Sequence, residues 1–338
     1  MRKIGFIWSI VVLISCSQGV WAQEDYIVNQ AKFLQKSNPS SFGMNQLNRV
    51  GVFYNSLKIN EATAMDNKYA FGSIAFQDKN FSLGFDINSF RLNETALTSS
   101  LVNFSYVYKI QLSNYTYFLP SVTLGLGSSR VNVENLIFED QLNMATGFIS
   151  TESIDPLAPI ISQVNYFDLG ASFIIHNEYY LVGLSLKHLN KPNISYNKEV
   201  PYNKPIAIGL QGGYEFNINP YERTLLPRFS YLYTFLNFTK YGESMYINIA
   251  EDFQFGEFSI GFTQQASSVN SFALNNIGLT MGLALENFDF GINYNFPNRK
   301  PGTVFSPSIF EISIIFDFSI YRRNNRGLYK KLQIDNYY

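Results

Sequence analysis

The sequence predicts an all-β fold, a transmembrane antiparallel barrel of about 14 strands of the outer-membrane type. Three observations carry that prediction. Segments of about ten residues alternate apolar and polar side chains, the length a tilted strand needs to cross a bilayer. The connections between them alternate between tight turns and longer loops. The composition is 17% aromatic and only 15% charged, yet after residue 22 no run of apolar residues is long enough for a membrane-spanning helix.

The alternation is clearest in four places. In FSLGFDINSF, Phe81, Leu83, Phe85 and Ile87 share one face, opposite Ser82, Gly84, Asp86 and Asn88. FDLGASFII sets Phe167, Leu169, Ala171, Phe173 and Ile175 against Asp168, Gly170 and Ser172. FDFGINYNF sets Phe288, Phe290, Ile292, Tyr294 and Phe296 against Asp289, Gly291, Asn293 and Asn295, and FEISIIFDF lines up Phe310, Ile312, Ile314, Phe316 and Phe318. A soluble sandwich alternates too. The aromatic ends of the apolar faces and the small polar opposite faces point instead to interfacial girdles around a wet or plugged lumen. Strands are placed at 48–59, 67–76, 79–89, 97–111, 114–126, 164–175, 178–188, 203–216, 225–236, 243–252, 255–264, 270–285, 287–296 and 307–318.

Connections after even-numbered strands are mostly tight, and those after odd-numbered strands mostly longer. The exceptions are NINPYERTL near 220 and NFTKYG near 239. Tight turns on one side and long loops on the other is the outer-membrane pattern, with the tight side periplasmic. A membrane sheet must close to satisfy its edges. The barrel thus spans 48–318, with a long extracellular loop at about 127–163. An even strand number leaves a periplasmic basic tail at 319–338 and a periplasmic segment at 23–47. The tail carries five basic residues against one acidic; a solvated tail and a contact for an acidic partner both remain open.

The front end, residues 1–22, reads as a signal peptide. Arg2 and Lys3 precede an apolar run, and VWA places cleavage between Ala22 and Gln23. LISC, ending at Cys16, also resembles a lipobox. Cys16 is the only cysteine, so cleavage after Ala22 leaves no thiol, disulfide or thiolate metal site. Without Arg2 and Lys3 the chain has 23 basic and 26 acidic residues, a balance that offers nothing to nucleic acid.

Catalytic chemistry is missing. His176 and His188 have no serine or carboxylate at a relay spacing, which leaves no enzyme to predict. LGLGSS, Leu124 to Ser129, sits at a strand end without the following helix of a phosphate loop. FED, Phe138 to Asp140, lacks calcium-loop spacing. No cofactor or metal is expected.

NPSSFG, Asn38 to Gly43, is a punctuated turn: Asn-Pro biases the chain away from helix, and Gly43 tolerates positive φ. Followed by Arg49 and Tyr54, it resembles the start of the PorP/SprF family, outer-membrane components of the type IX secretion and gliding systems of the Bacteroidetes. Asn38, Pro39, Gly43, Arg49 and Tyr54 match the family's opening, whereas Asn55 and Leu57 depart from its usual Arg and Gln. FEDQLN resembles the family's Asp-Gln element at Asp140 and Gln141. The segment at 167–192 is the strongest match, through Asp168, Gly170, Gly183, Ser185 and His188. The resemblance covers nearly all of the mature chain, and none of these motifs is catalytic. It implies an outer-membrane protein that binds and anchors particular secreted or surface proteins through a C-terminal sorting domain. Its other partners would be type IX secretion components and outer-membrane lipid, not nucleic acid. The residues alone leave a passive channel for small or hydrophobic solutes open as the alternative.

Overall fold

The computed structural model describes residues 29–46, 48–58, 64–76, 79–93, 97–131, 163–196, 201–221, 225–227, 230–268, 273–285, 287–298 and 308–318. Strands β1 (Arg49–Lys58), β2 (Ala64–Phe76) and β3 (Phe81–Leu92) begin the sheet. β4 runs Leu97–Tyr108 and resumes past Lys109 as Ile110–Ser113. Next come β5 (Thr116–Val131), β6 (Gln163–His176), β7 (Tyr180–Lys187), β8 (Ala207–Asn217) and β9 (Ser230–Tyr241). β10 (Ser244–Phe255), β11 (Phe258–Ser267), β12 (Ala273–Leu285), β13 (Phe288–Pro297) and β14 (Ser308–Asp317) complete it.

Every strand pairs antiparallel with its chain neighbours, and β1 pairs with β14 from Arg49 opposite Asp317 to Lys58 opposite Ser308. The sheet is therefore a closed ring of 14 staves, with no free edge to expose unpaired backbone to lipid. The predicted alternation is the actual one: Phe85 and Ile87, Val122 and Leu124, and Ile292 and Phe296 face outward, exposed, while Ser82, Asp86, Asn293 and Asn295 face in, buried. A loop was expected from Gly127, but β5 runs on to Val131 because β6 begins at Gln163 and pairs with it from Arg130 onward. Residues 132–162 lie outside the described residues.

The core of this ring sits in its lumen. Residues 29–46, expected on the periplasmic side ahead of the barrel, lie inside it, and residues 29–44 are all buried or half-buried. Phe33, Leu34 and Phe42 from this segment join the inward side chains Phe53, Tyr69, Phe71, Val107, Leu119, Ile174, Leu181, Tyr233, Phe235 and Ile315 in one apolar cluster. Most of those side chains stand in the half of the barrel nearer the tight turns, with Phe53 and Tyr69 at mid-height. The lumen is thus only partly small and polar; one half is aromatic, and the chain's own leader fills it.

Candidate binding site in the lumen

The luminal segment is built from three short pieces. Asn29 starts a turn: its side-chain oxygen accepts from the Lys32 amide at 3.0 Å, and its carbonyl from the Phe33 amide at 3.1 Å. One helical turn, α1 (Leu34–Ser37), follows and ends at Asn38, whose extended backbone (φ −138°) is what a following proline demands. Pro39 then opens a 3-10 helix, Pro39–Gln46. Asn38 caps it, its Oδ1 accepting from the Ser40 amide at 3.1 Å. The punctuated turn NPSSFG is therefore a helix start placed inside a barrel.

Each piece meets a wall prepared for it. Asn38 Nδ2 donates toward the Phe173 and Leu184 carbonyls (3.1 and 3.3 Å), which stand opposite each other on β6 and β7, and toward Gln211 Oε1 at 2.9 Å on β8. The approach depends on Gly183, where a Cβ would lie 2.7 Å from Asn38 Nδ2. Gln211 is braced by Ser185 and Asn237 at 3.2 and 2.9 Å. The Ser40 hydroxyl lies 3.0 Å from that of Ser121 and 2.9 Å from that of Ser172, which are 2.6 Å from each other. Phe42 lays its ring on the bare backbone of Gly84, in space a Cβ would occupy. Phe33 packs 4.8 Å from Phe53 and edge-on to Tyr69 and Phe71.

Lysines tie the first half of the segment. Lys32 Nζ pairs with Asp289 at 2.8 Å. Lys36, 6% exposed, donates to Asn88 Oδ1 at 2.9 Å with its ammonium 5.4 Å from the ring centres of Phe53 and Tyr69. Lys187 Nζ reaches down to the Lys36 carbonyl at 2.8 Å.

On the long-loop side of Lys36 lies a cavity of about 60 Å³. Gln35, Lys36 and Pro39 form its floor; Asp86, Asn88, Tyr166, Asp168, Lys187, His188 and Lys204 are among its walls. Asp168 Oδ2 and His188 Nδ1 are 2.9 Å apart, both side chains under one-tenth exposed. His188 holds a left-handed backbone (φ 60°), and the residues after it stay joined to β6: the Leu189 amide donates to the Leu169 carbonyl, and Asn190 bonds the Phe167 carbonyl and the Leu169 amide. Lys204 is 2% exposed and donates to the Tyr166 hydroxyl at 2.9 Å, with its ammonium 4.6 Å from that ring's centre.

The residues singled out in the sequence thus divide. Asn38, Pro39, Gly183 and Ser185 meet where the luminal segment docks, and Gly170, Asp168 and His188 border the cavity above it. Gly43 packs on Val107 and Leu119. Arg49 stands apart at the seam, 3.9 Å from Asp317, and Tyr54 faces outward, its hydroxyl donating to Asp66 at 2.7 Å. Asp140, Gln141, Ala22 and Gln23 lie outside the described residues. Sequence reasoning missed the aromatic seat and the cavity lysines. The available signal was β1, where VGVFY is apolar on both faces, together with Phe33, Leu34 and Phe42 ahead of it, which needed burial.

Residues 19–316 match the family model described as "Type IX secretion system membrane protein PorP/SprF". No curated protein matches the chain. Solved structures that resemble it include the Acinetobacter baumannii outer membrane protein Omp33 (TM-score 0.46, 10% identity, 82% of this chain and 100% of that one). A deletion mutant of the TodX monoaromatic hydrocarbon channel aligns at TM-score 0.49 and 12% identity, over 89% of this chain and 97% of that one. An outer membrane channel from Pseudomonas putida F1 aligns at 0.41 and 10%, over 80% and 96%.

Proposed function

Because the chain belongs to the PorP/SprF family of type IX secretion system membrane proteins, we propose that it binds specific secreted or surface proteins through their C-terminal sorting domains and anchors them at the cell surface. It is an outer-membrane barrel and a membrane component of that machinery, which makes other type IX components its partners. One observation carries the finer reading. The half of the lumen nearer the tight turns is occupied by the chain's own residues 29–46, locked by aromatic packing and hydrogen bonds. A barrel filled in this way is a poor conduit and a good rigid mount, and long loops on a rigid mount are where recognition residues sit. The tight-turn side faces the periplasm and the loops the outside. The signal peptide and the basic tail at 319–338 belong to the same reading, the one for export and the other for a periplasmic contact.

Deleting the gene and fractionating the cells tests it. A subset of surface proteins is expected to escape into the medium or stay inside while general secretion continues; unchanged location of every surface protein would refute it. The passive-channel reading is tested separately in planar bilayers, where the intact protein should be silent.

A further inference from the structure

We infer that the cavity above the luminal segment is a binding site for a carboxylate that carries an adjacent N–H, the chemistry shared by the end of a polypeptide and a free acylated amino acid. Two unpartnered groups point to a ligand. Gln35 Nε2, a donor, and Asp168 Oδ1, an acceptor, are buried with no hydrogen-bond partner, and both side chains are more than nine-tenths buried in the cavity lining. Burying such atoms unsatisfied is costly, so a site that keeps both is built for something that supplies the complements.

The charge around them says which complement goes where. Lys36, Lys187 and Lys204 outnumber Asp86 and Asp168 in the lining, and Asp168 is already engaged by His188 through its other oxygen. An anion is therefore favoured beside the ammonium groups and Gln35, and a donor opposite Asp168 Oδ1. A carboxylate with an N–H close by meets both demands; a simple halide or a neutral sugar meets one. Among the described residues the cavity faces the long-loop side: Phe90 and Ser99 stand at the loop ends of β3 and β4, His188 follows β7 and Lys204 precedes β8, and residues 29–46 fill the opposite approach. The polypeptide source rests on the anchoring role proposed above, since it would place a partner's chain end inside the barrel; the carboxylate site itself does not.

Calorimetry on the intact protein in detergent tests it, with N-acetylglycine against its amide. The acid is expected to bind and the amide to bind at least about tenfold more weakly, a difference of about 1.4 kcal/mol. Gln35→Met and Lys204→Met should each weaken the acid about tenfold. Gln35→Met serves as the control for folding, because it removes an unpartnered donor and leaves the barrel wall untouched. A decapeptide ending in the same residue separates the sources: tighter binding than N-acetylglycine assigns a polypeptide end, equal binding a free solute. Equal binding of acid and amide, or of neither, overturns the inference. Retention of surface proteins alongside no acid binding would sink this site while leaving the anchoring role intact.

Discussion

The two halves of the lumen are built on opposite rules. Toward the tight turns, residues 29–46 meet aromatic rings, bare glycine backbone and a serine cluster. Toward the loops, the walls carry lysines, aspartates and an imidazole around a space with two unmet polar atoms. Complementary apolar packing gives permanence, because opening it exposes that area to water again. Charged and unfilled surface gives exchange, because each bond made to a ligand replaces one made to water. The difference marks one half as structural and the other, on the inference drawn above, as the place where a ligand is met.

Breaking the comparison outright requires removing the filled half. Deleting residues 29–46 should turn a silent barrel into one with steady conductance in planar bilayers; a silent deletion would mean that something else seals the lumen. Next in size, Phe42→Ala or Phe33→Ala should cost about 3–5 kcal/mol of stability, read by denaturant titration in detergent, since each empties a buried aromatic site. Leu124→Arg, on the lipid face, should cost about 2–4 kcal/mol if it lies near the bilayer midplane, which checks that the exposed ring of apolar residues is the membrane contact. Gly183→Val should cost about 1–3 kcal/mol by pushing Asn38 from its seat, with protease cleavage near residue 38 as the reporter. The smallest effect belongs to Gln35→Met, within about 0.5 kcal/mol of the parent, because the donor it removes has no partner to lose. A large loss there would show that the cavity holds the fold together as the filled half does.

How much of this the sequence disclosed follows the same division. Lipid imposes one apolar face on every stave, so Phe81 to Phe90 and Phe288 to Phe296 could be read directly as strands with the correct side outward. The seat for residues 29–46 reversed that signal. Inward Phe53, Tyr69 and Phe71 make their strands apolar on both sides, and alternation cannot assign such faces. Asn38-Pro39 was legible as a turn from backbone sterics alone, but its position in space depends on Gly183 and Gln211, more than 140 residues away. The cavity was illegible for the same reason: Lys36, Asp86, Asp168 and Lys204 share no local pattern, and only the closed ring brings them together.

The pairing of β1 with β14 has a bearing on biogenesis. Residues 29–46 precede every stave in the chain, yet the walls that hold them belong to staves distributed from β1 to β14, and the seam shuts only when Ser308–Asp317 arrives. The stopper is thus waiting before the vessel exists, and a chain truncated ahead of its final stave could neither seal its edge nor complete the berth for its own beginning.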